Sequence, residues 1–110
     1  MAVEPQRYDV FQAIADPTRR KLLKLLASEE LSISTISSHF TMSRTAVTKH
    51  LHVLESAGLV IARKRGREKL YCLEAEPLQK LQTWLTFYGQ FWDNKLSTLK
   101  NVVESDLSEE

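Results

Sequence analysis

Apolar residues recur at helical spacing through roughly the first half of the chain, and a few punctuating residues break the rhythm. Tyr8, Phe11, Ala13, Ile14 and Ala15 suit a short first helix that stops at Asp16-Pro17. Asp16 is a natural N-cap and Pro17 a natural first helical residue, because proline's missing N–H is not needed there. The second helix then turns Leu22, Leu23, Leu25 and Leu26 inward and Arg19, Arg20, Lys21 and Lys24 outward, and ends between Ala27 and Glu30. Ser32 can cap a brief third helix through Ile33, Ile36 and Phe40. Thr41-Met42 makes a tight connection, and Ser43 caps a fourth helix that runs to about Ser56 with Val47, Leu51 and Leu54 on one stripe. Ala57-Gly58 closes it, the glycine supplying a left-handed conformation.

Beyond Gly58 the period changes from helical to extended. Leu59 to Lys64 is β-branched and apolar, Leu70 to Leu73 answers it, and Arg65-Gly66-Arg67 between them reads as a turn, so the pair predicts a β-hairpin with a cationic tip. Pro77 opens a final helix that could run to about Val103, and the acidic stretch 104–110 is expected to fray. At 110 residues, with no internal repeats or low-complexity linkers, one domain is the working expectation: a core over 7–76, a long helix over 77–103 and the tail. The fold class is mainly α with a small β-hairpin.

Two short helices joined by a tight turn and followed directly by a basic hairpin make the winged form of the helix-turn-helix. The second helix of such a pair must show small polar and basic side chains, because base edges in the major groove offer donors, acceptors and thymine methyls. With Val47, Leu51 and Leu54 inward, Arg44, Thr45, Thr48, Lys49 and His52 lie outward. Ser43 and its neighbouring free amides can hold a phosphate at the helix start. Arg63, Lys64, Arg65, Arg67 and Lys69 on the hairpin are placed to touch phosphates or enter a minor groove. A polar helix face alone is what solvation produces, and basic residues on strand edges discourage pairing. The two features in this order and spacing favour nucleic acid. His50 sits at the border of the apolar stripe, where a base contact and a half-buried orienting role both fit.

Charge sharpens this picture. The net charge of +1 conceals a partition: residues 31–73 carry seven basic side chains against Glu55 and Glu68, whereas 74–110 carry three basic against seven acidic. A basic middle beside an acidic end suggests one face aimed at a polyanion. Residues 1–10 lack the basic start and apolar stretch of a secretory signal, and no apolar run could cross a bilayer, so a cytoplasmic location is expected. Three glycines leave little room for a phosphate loop or nucleophile elbow, and none is present, so the chain is not expected to be an enzyme.

Three stretches, FQAIADPTRRKLLKLL, SRTAVTKHLHVLESAGLV and GREKLYCL, together resemble the ArsR-type (arsenic repressor) winged-helix regulators of bacteria over roughly residues 8–74. The resemblance implies a homodimeric transcriptional repressor whose fourth helix reads a double-stranded DNA operator. By position it points to Arg44, Thr45, Thr48, Lys49 and His50 for DNA contact. Many members sense metals through a Cys-x-Cys pair in the third helix, but the matching stretch here is Glu30-Leu31-Ser32-Ile33-Ser34-Thr35. Neutral hydroxyls do not bind soft or borderline metals usefully, and His39, His50 and His52 are poorly spaced, so neither a metal nor another cofactor is expected. Cys72 is a lone cysteine, read as a small buried hydrophobe with redox sensing as the alternative.

Trp84, Phe87, Tyr88, Phe91 and Trp92 fall within nine positions of the final helix and wrap more than half its circumference. Leu96 and Leu99 extend the stripe. A helix of about 27 residues is about 40 Å long, more than a small core can cover, so a second copy is expected to bury the surplus, with Tyr8 and Phe11 of the first helix contributing. Folding back onto its own domain, or lining a ligand pocket, would also use these aromatics. The rival functions are a winged helix used only for protein or RNA contact, and a regulator responsive to redox state or a small ligand through Cys72 or the aromatic helix.

Overall fold

Side-chain caps set the helix starts in the computed structural model, which describes residues 8–108. Helix α1 (Val10–Ala13) opens on a reciprocal box, in which Asp9 accepts from the Gln12 backbone amide and the Gln12 side chain accepts from that of Asp9. Helix α2 (Pro17–Leu26) is capped by Asp16, which accepts from Arg19 N–H at 3.1 Å, with proline in the first turn. A two-residue strand β1 (Leu31–Ser32) leads into α3 (Ile33–Ser37), and Ser32 is both the end of the strand and the N-cap of the helix. Ser43 caps α4 (Arg44–Ser56). Strands β2 (Val60–Arg65) and β3 (Glu68–Leu73) follow, then a 3₁₀ turn (Glu76–Leu78) and α5 (Gln79–Ser108). The first unit ends at Gln79 and a second begins at Lys80.

Helix α4 ends in a Schellman arrangement: Leu59 N–H bonds to Leu54 C=O and Gly58 N–H to Glu55 C=O, both at 2.9 Å, with Gly58 at φ +77°. A side chain at Gly58 would be strained, and the motif brings Leu54 and Leu59 together in the core. Leu22, Ile36, Val47, Leu51, Leu54 and Leu59 are fully buried, so α2, α3 and α4 close around one apolar centre with β2 running out of it.

The sheet has three strands in the order β1-β3-β2, all antiparallel, where the hydrophobic pattern predicts only a hairpin. The extra strand is two residues long, too short to show a period of its own. Arg65 pairs with Glu68, so the turn is the two residues Gly66-Arg67 rather than three. Gly66 has φ +64° and, among the described residues, no non-glycine residue has positive φ, the pattern of the glycine-first loop that suits a twisted hairpin.

Arg19 differs from the outward placement its spacing suggests, whereas Arg20 is exposed as expected. Arg19 is half-buried, donating from Nε to Ala13 C=O at 2.7 Å and from Nη2 to Gln12 C=O at 3.1 Å, and Arg20 donates to Ile14 C=O at 2.7 Å. Carbonyls at the end of a helix run short of amide donors and carry partial negative charge, so cations folded back from α2 bond to them, Gln12 C=O accepting from Ala15 N–H as well as from Arg19.

Helix α5 runs to Ser108, through residues 104–108 of the stretch expected to fray. No glycine or proline follows Gly89 to stop it, and Lys100 pairs with Glu104 one turn on at 4.0 Å. Residue 7 and residues 109–110, at the ends of the predicted core and tail, lie outside the described residues.

Candidate nucleic-acid interface

Ser43 fixes the start of α4 by accepting from Ala46 N–H at 3.1 Å. From that start the 3.6-residue turn buries Val47, Leu51 and Leu54 and leaves Arg44, Thr45, Lys49 and His52 exposed, with Thr48 half-buried. These five side chains, with Ile33, Lys69 and Tyr71, line one open groove of about 480 Å³. No acidic residue lines it, so the field inside is positive.

Each wall of the groove is held in place. Arg44 donates from Nη2 to Ser34 Oγ at 3.0 Å, which ties the first residue of α4 to α3. The Thr48 hydroxyl donates to the Arg44 carbonyl at 2.9 Å, one turn back along its own helix. Lys69 Nζ lies 5.4 Å from the centroid of the Tyr71 ring, so the buried ring supports an exposed ammonium by cation–π attraction. Lys64 stands directly opposite Lys69 in the β2–β3 register, on the same sheet face. Like charges at that spacing repel, and an anion lying between them removes the repulsion.

The sequence-predicted residues separate into three groups. Arg44, Thr45, Thr48, Lys49, His52 and Lys69 meet in the groove, and Lys64 shares the face of Lys69. Arg65 and Arg67 are exposed at the tip of the hairpin, beyond the groove lining, and Ser43 is exposed at the helix start with its oxygen engaged in the cap. Arg63 and His50 go elsewhere. Arg63 lies on the other sheet face and donates to Glu30 Oε2 at 2.6 Å, and Glu30's hydrogen bond and charge push its guanidinium further up from its ordinary pKa. His50 is half-buried, its Nδ1 3.5 Å from Arg19 Nη1 and 4.0 Å from Asp16 Oδ2, and it is not among the residues that line the groove. Burial pushes the Asp16 carboxyl up, but the backbone amide of Arg19 and the charges of His50 and Arg19 outweigh it and hold the pKa below its ordinary value.

Ile33 and Tyr71 were not anticipated in the site. Tyr71 sits two residues from Lys69 and so shares its face, a relation that the period of a strand makes readable once the strand is placed. The serines at the metal-sensing positions have structural work: Ser32 accepts from Thr35 N–H at 3.3 Å, and Ser34 holds Arg44. Cys72 is half-buried opposite Ile61, on the sheet face away from Tyr71. Among the described residues no group of three or more His, Cys, Asp or Glu could hold a metal, and no helix is long and apolar enough to cross a membrane.

The second unit carries a different surface. Along α5, Trp84, Phe87, Tyr88, Phe91, Trp92 and Leu99 are all about half exposed or more. Their rings pack along the helix, Trp84 on Tyr88 at 4.8 Å and Phe87 edge-on to Tyr88 at 4.9 Å between centroids. Leu85, Tyr88, Gly89, Phe91, Trp92 and Lys95 line a shallow hollow on it. Tyr8, just before α1, and Phe11, on it, are exposed to a lesser degree, and the side chain of Leu96 lies outside the described residues.

Comparison with known proteins fits this geometry. Residues 16–62 match the model described as "Bacterial regulatory protein, arsR family", a span from the cap of α2 through α4 into β2. The chain is 34% identical over 88 residues to the transcriptional repressor SdpR of Bacillus subtilis, covering 80% of this chain and 98% of that one. An HTH-type transcriptional regulator of Mycobacterium tuberculosis is 34% identical over 96 residues, 87% of each chain. Among solved structures, an ArsR-like transcriptional regulator from Rhodococcus sp. RHA1 aligns with a TM-score of 0.70 at 36% identity, covering 87% of this chain and 88% of that one. The chain therefore belongs to the ArsR family of winged helix-turn-helix proteins, DNA-binding regulators of transcription that are not enzymes.

Proposed function

We propose that the chain is a repressor that acts in the cytoplasm as a homodimer and binds a palindromic operator, each copy presenting α4 to the major groove and the β2–β3 hairpin to the flanking phosphates. The observation that carries this reading is the acid-free groove in which Arg44, Thr45, Thr48, Lys49, His52 and Lys69 converge. Cations supply the affinity through counterion release, and the two threonines and the histidine supply contacts to base edges. Arg65, Arg67 and Lys64 extend the cationic surface at the hairpin. Repression rather than activation is proposed from the printed name of the relative SdpR.

A second copy is the proposed cover for the aromatic face of α5, with Tyr8 and Phe11 meeting the same partner. Exposed side chains of this size in an unbroken row mark an interaction surface rather than ordinary solvated helix. Two-fold symmetry then sets two α4 helices about one DNA turn apart and demands a palindrome.

Mobility shifts of a duplex across a salt series, together with sedimentation, test both halves. Affinity is expected to fall steeply with salt while the protein sediments at twice 12.7 kDa. A clean monomer at micromolar concentration rejects the dimer, and salt-insensitive retention rejects the polyanion interface. Within the site, Arg65→Ala or Arg67→Ala weakens binding to every sequence, whereas Thr45→Ala or Thr48→Ala mainly relaxes sequence preference.

A further inference from the structure

Thr48 donates its only hydroxyl hydrogen to the Arg44 carbonyl at 2.9 Å, and because a carbonyl has no hydrogen to give, the direction of that bond is settled. A β-branched side chain in a helix is stiff at χ1, so holding Oγ1 against the preceding turn also fixes its Cγ2 methyl. Thr48 nevertheless lines the groove, and what it can offer a base there is that methyl and the remaining lone pairs of the oxygen. The surrounding groups are cationic donors, Arg44, Lys49 and Lys69, with Ile33 as the other aliphatic wall.

One base edge matches a donor set beside an apolar spot. In the major groove, thymine presents an acceptor, O4, next to its C5-methyl, whereas guanine presents two acceptors, adenine an acceptor with a donor, and cytosine a donor. We propose that Thr48 specifies a thymine in the operator half-site through methyl–methyl contact, with a neighbouring cation of the groove on O4, and that its hydroxyl serves to lock the methyl rather than to hydrogen-bond a base. This rests on the groove being the DNA-reading surface and adds which base it reads and by what force.

The test uses the full chain. Selection from randomised duplexes gives the preferred half-site, and binding is then measured for wild type, Thr48→Val and Thr48→Ser on that site, with each thymine replaced in turn by deoxyuridine, which lacks only the methyl. Burying one methyl group is worth roughly a three- to tenfold change in affinity. Wild type and Thr48→Val are expected to lose that factor at a single thymine on replacement by deoxyuridine. Thr48→Ser is expected to bind the thymine site more weakly by the same factor and to be indifferent to the replacement. Unchanged affinity for random duplex and an unchanged melting temperature show that the variants are folded. The assignment is overturned if Thr48→Val loses preference as Thr48→Ser does, which gives the reading to the hydroxyl oxygen, or if no deoxyuridine weakens the wild type. A wild type that retains no duplex at any salt overturns the DNA-reading surface along with it, a pattern distinct from intact binding with the wrong thymine dependence.

Discussion

Helices α4 and α5 both expose a face, and the faces ask for different partners. The 13-residue α4 buries Val47, Leu51 and Leu54 completely and turns small polar and basic side chains outward. The 30-residue α5 exposes Trp84, Phe87, Tyr88, Phe91 and Trp92, with the uncharged Thr86 and Gln90 as the polar side chains between them. Water solvates the first face adequately, and a polyanion gains from it through charge. Water solvates the second poorly, and what gains from it is another apolar surface. In the proposed function the two tasks of holding a partner copy and reading a duplex fall to separate helices, so each can be damaged alone.

The largest effect expected from breaking that division is on α5. Replacing Tyr88 and Phe91 together by glutamate puts charge into the proposed dimer face, and sedimentation should report monomers. Losing the second reading helix removes bivalent engagement, so operator affinity should fall by about 10²- to 10⁴-fold while non-specific binding per chain changes far less. Leu51→Ala attacks α4 from its buried side and is expected to cost about 2–5 kcal/mol, read as a lower midpoint in urea. Lys69→Ala attacks α4's outward groove without touching the core. It should leave the urea midpoint in place and reduce the slope of log affinity against log salt by about one.

A smaller effect lies at the start of α2. Asp16→Ala removes the N-cap and should cost about 0.5–2 kcal/mol. Because the folded carboxyl is held below its ordinary value of 3.8, its contribution is fully present above that pH. It is lost as pH falls through the lowered folded value. Asp16→Asn keeps a capping oxygen and should flatten that part of the acid-unfolding curve. The smallest change is predicted for Arg63→Ala, since this guanidinium is engaged by Glu30, so an affinity loss equal to that of Lys69→Ala would show that the two hairpin faces do not differ as described.

The elements with strong end signals were legible in the sequence. Asp16-Pro17, Ser43 and Gly58 each mark a boundary because a specific orphan amide or carbonyl needs a specific side chain or backbone angle there. The exposed polar face of α4 was legible for the same reason, being the complement of a three-residue buried stripe. What stayed hidden depends on tertiary pairing. Nothing local to Leu31-Ser32 announces a strand whose Leu31 pairs with Tyr71, 40 residues away. Arg19, Arg63 and His50 look like surface cations or readers until Ala13, Glu30 and Asp16 are brought beside them. The stop of α5 could not be placed because the acidic composition after Val103 suggested fraying, whereas the lack of any helix-breaking residue governed.

The facing lysines at 64 and 69 tie the rigidity of the hairpin to its occupancy. Added salt should firm the free hairpin by shielding the two ammonium groups from each other, while the same salt loosens the grip on a duplex. Amide exchange at the two strands should therefore slow with rising salt in the free chain, and slow further when phosphate replaces dissolved anions between the two charges.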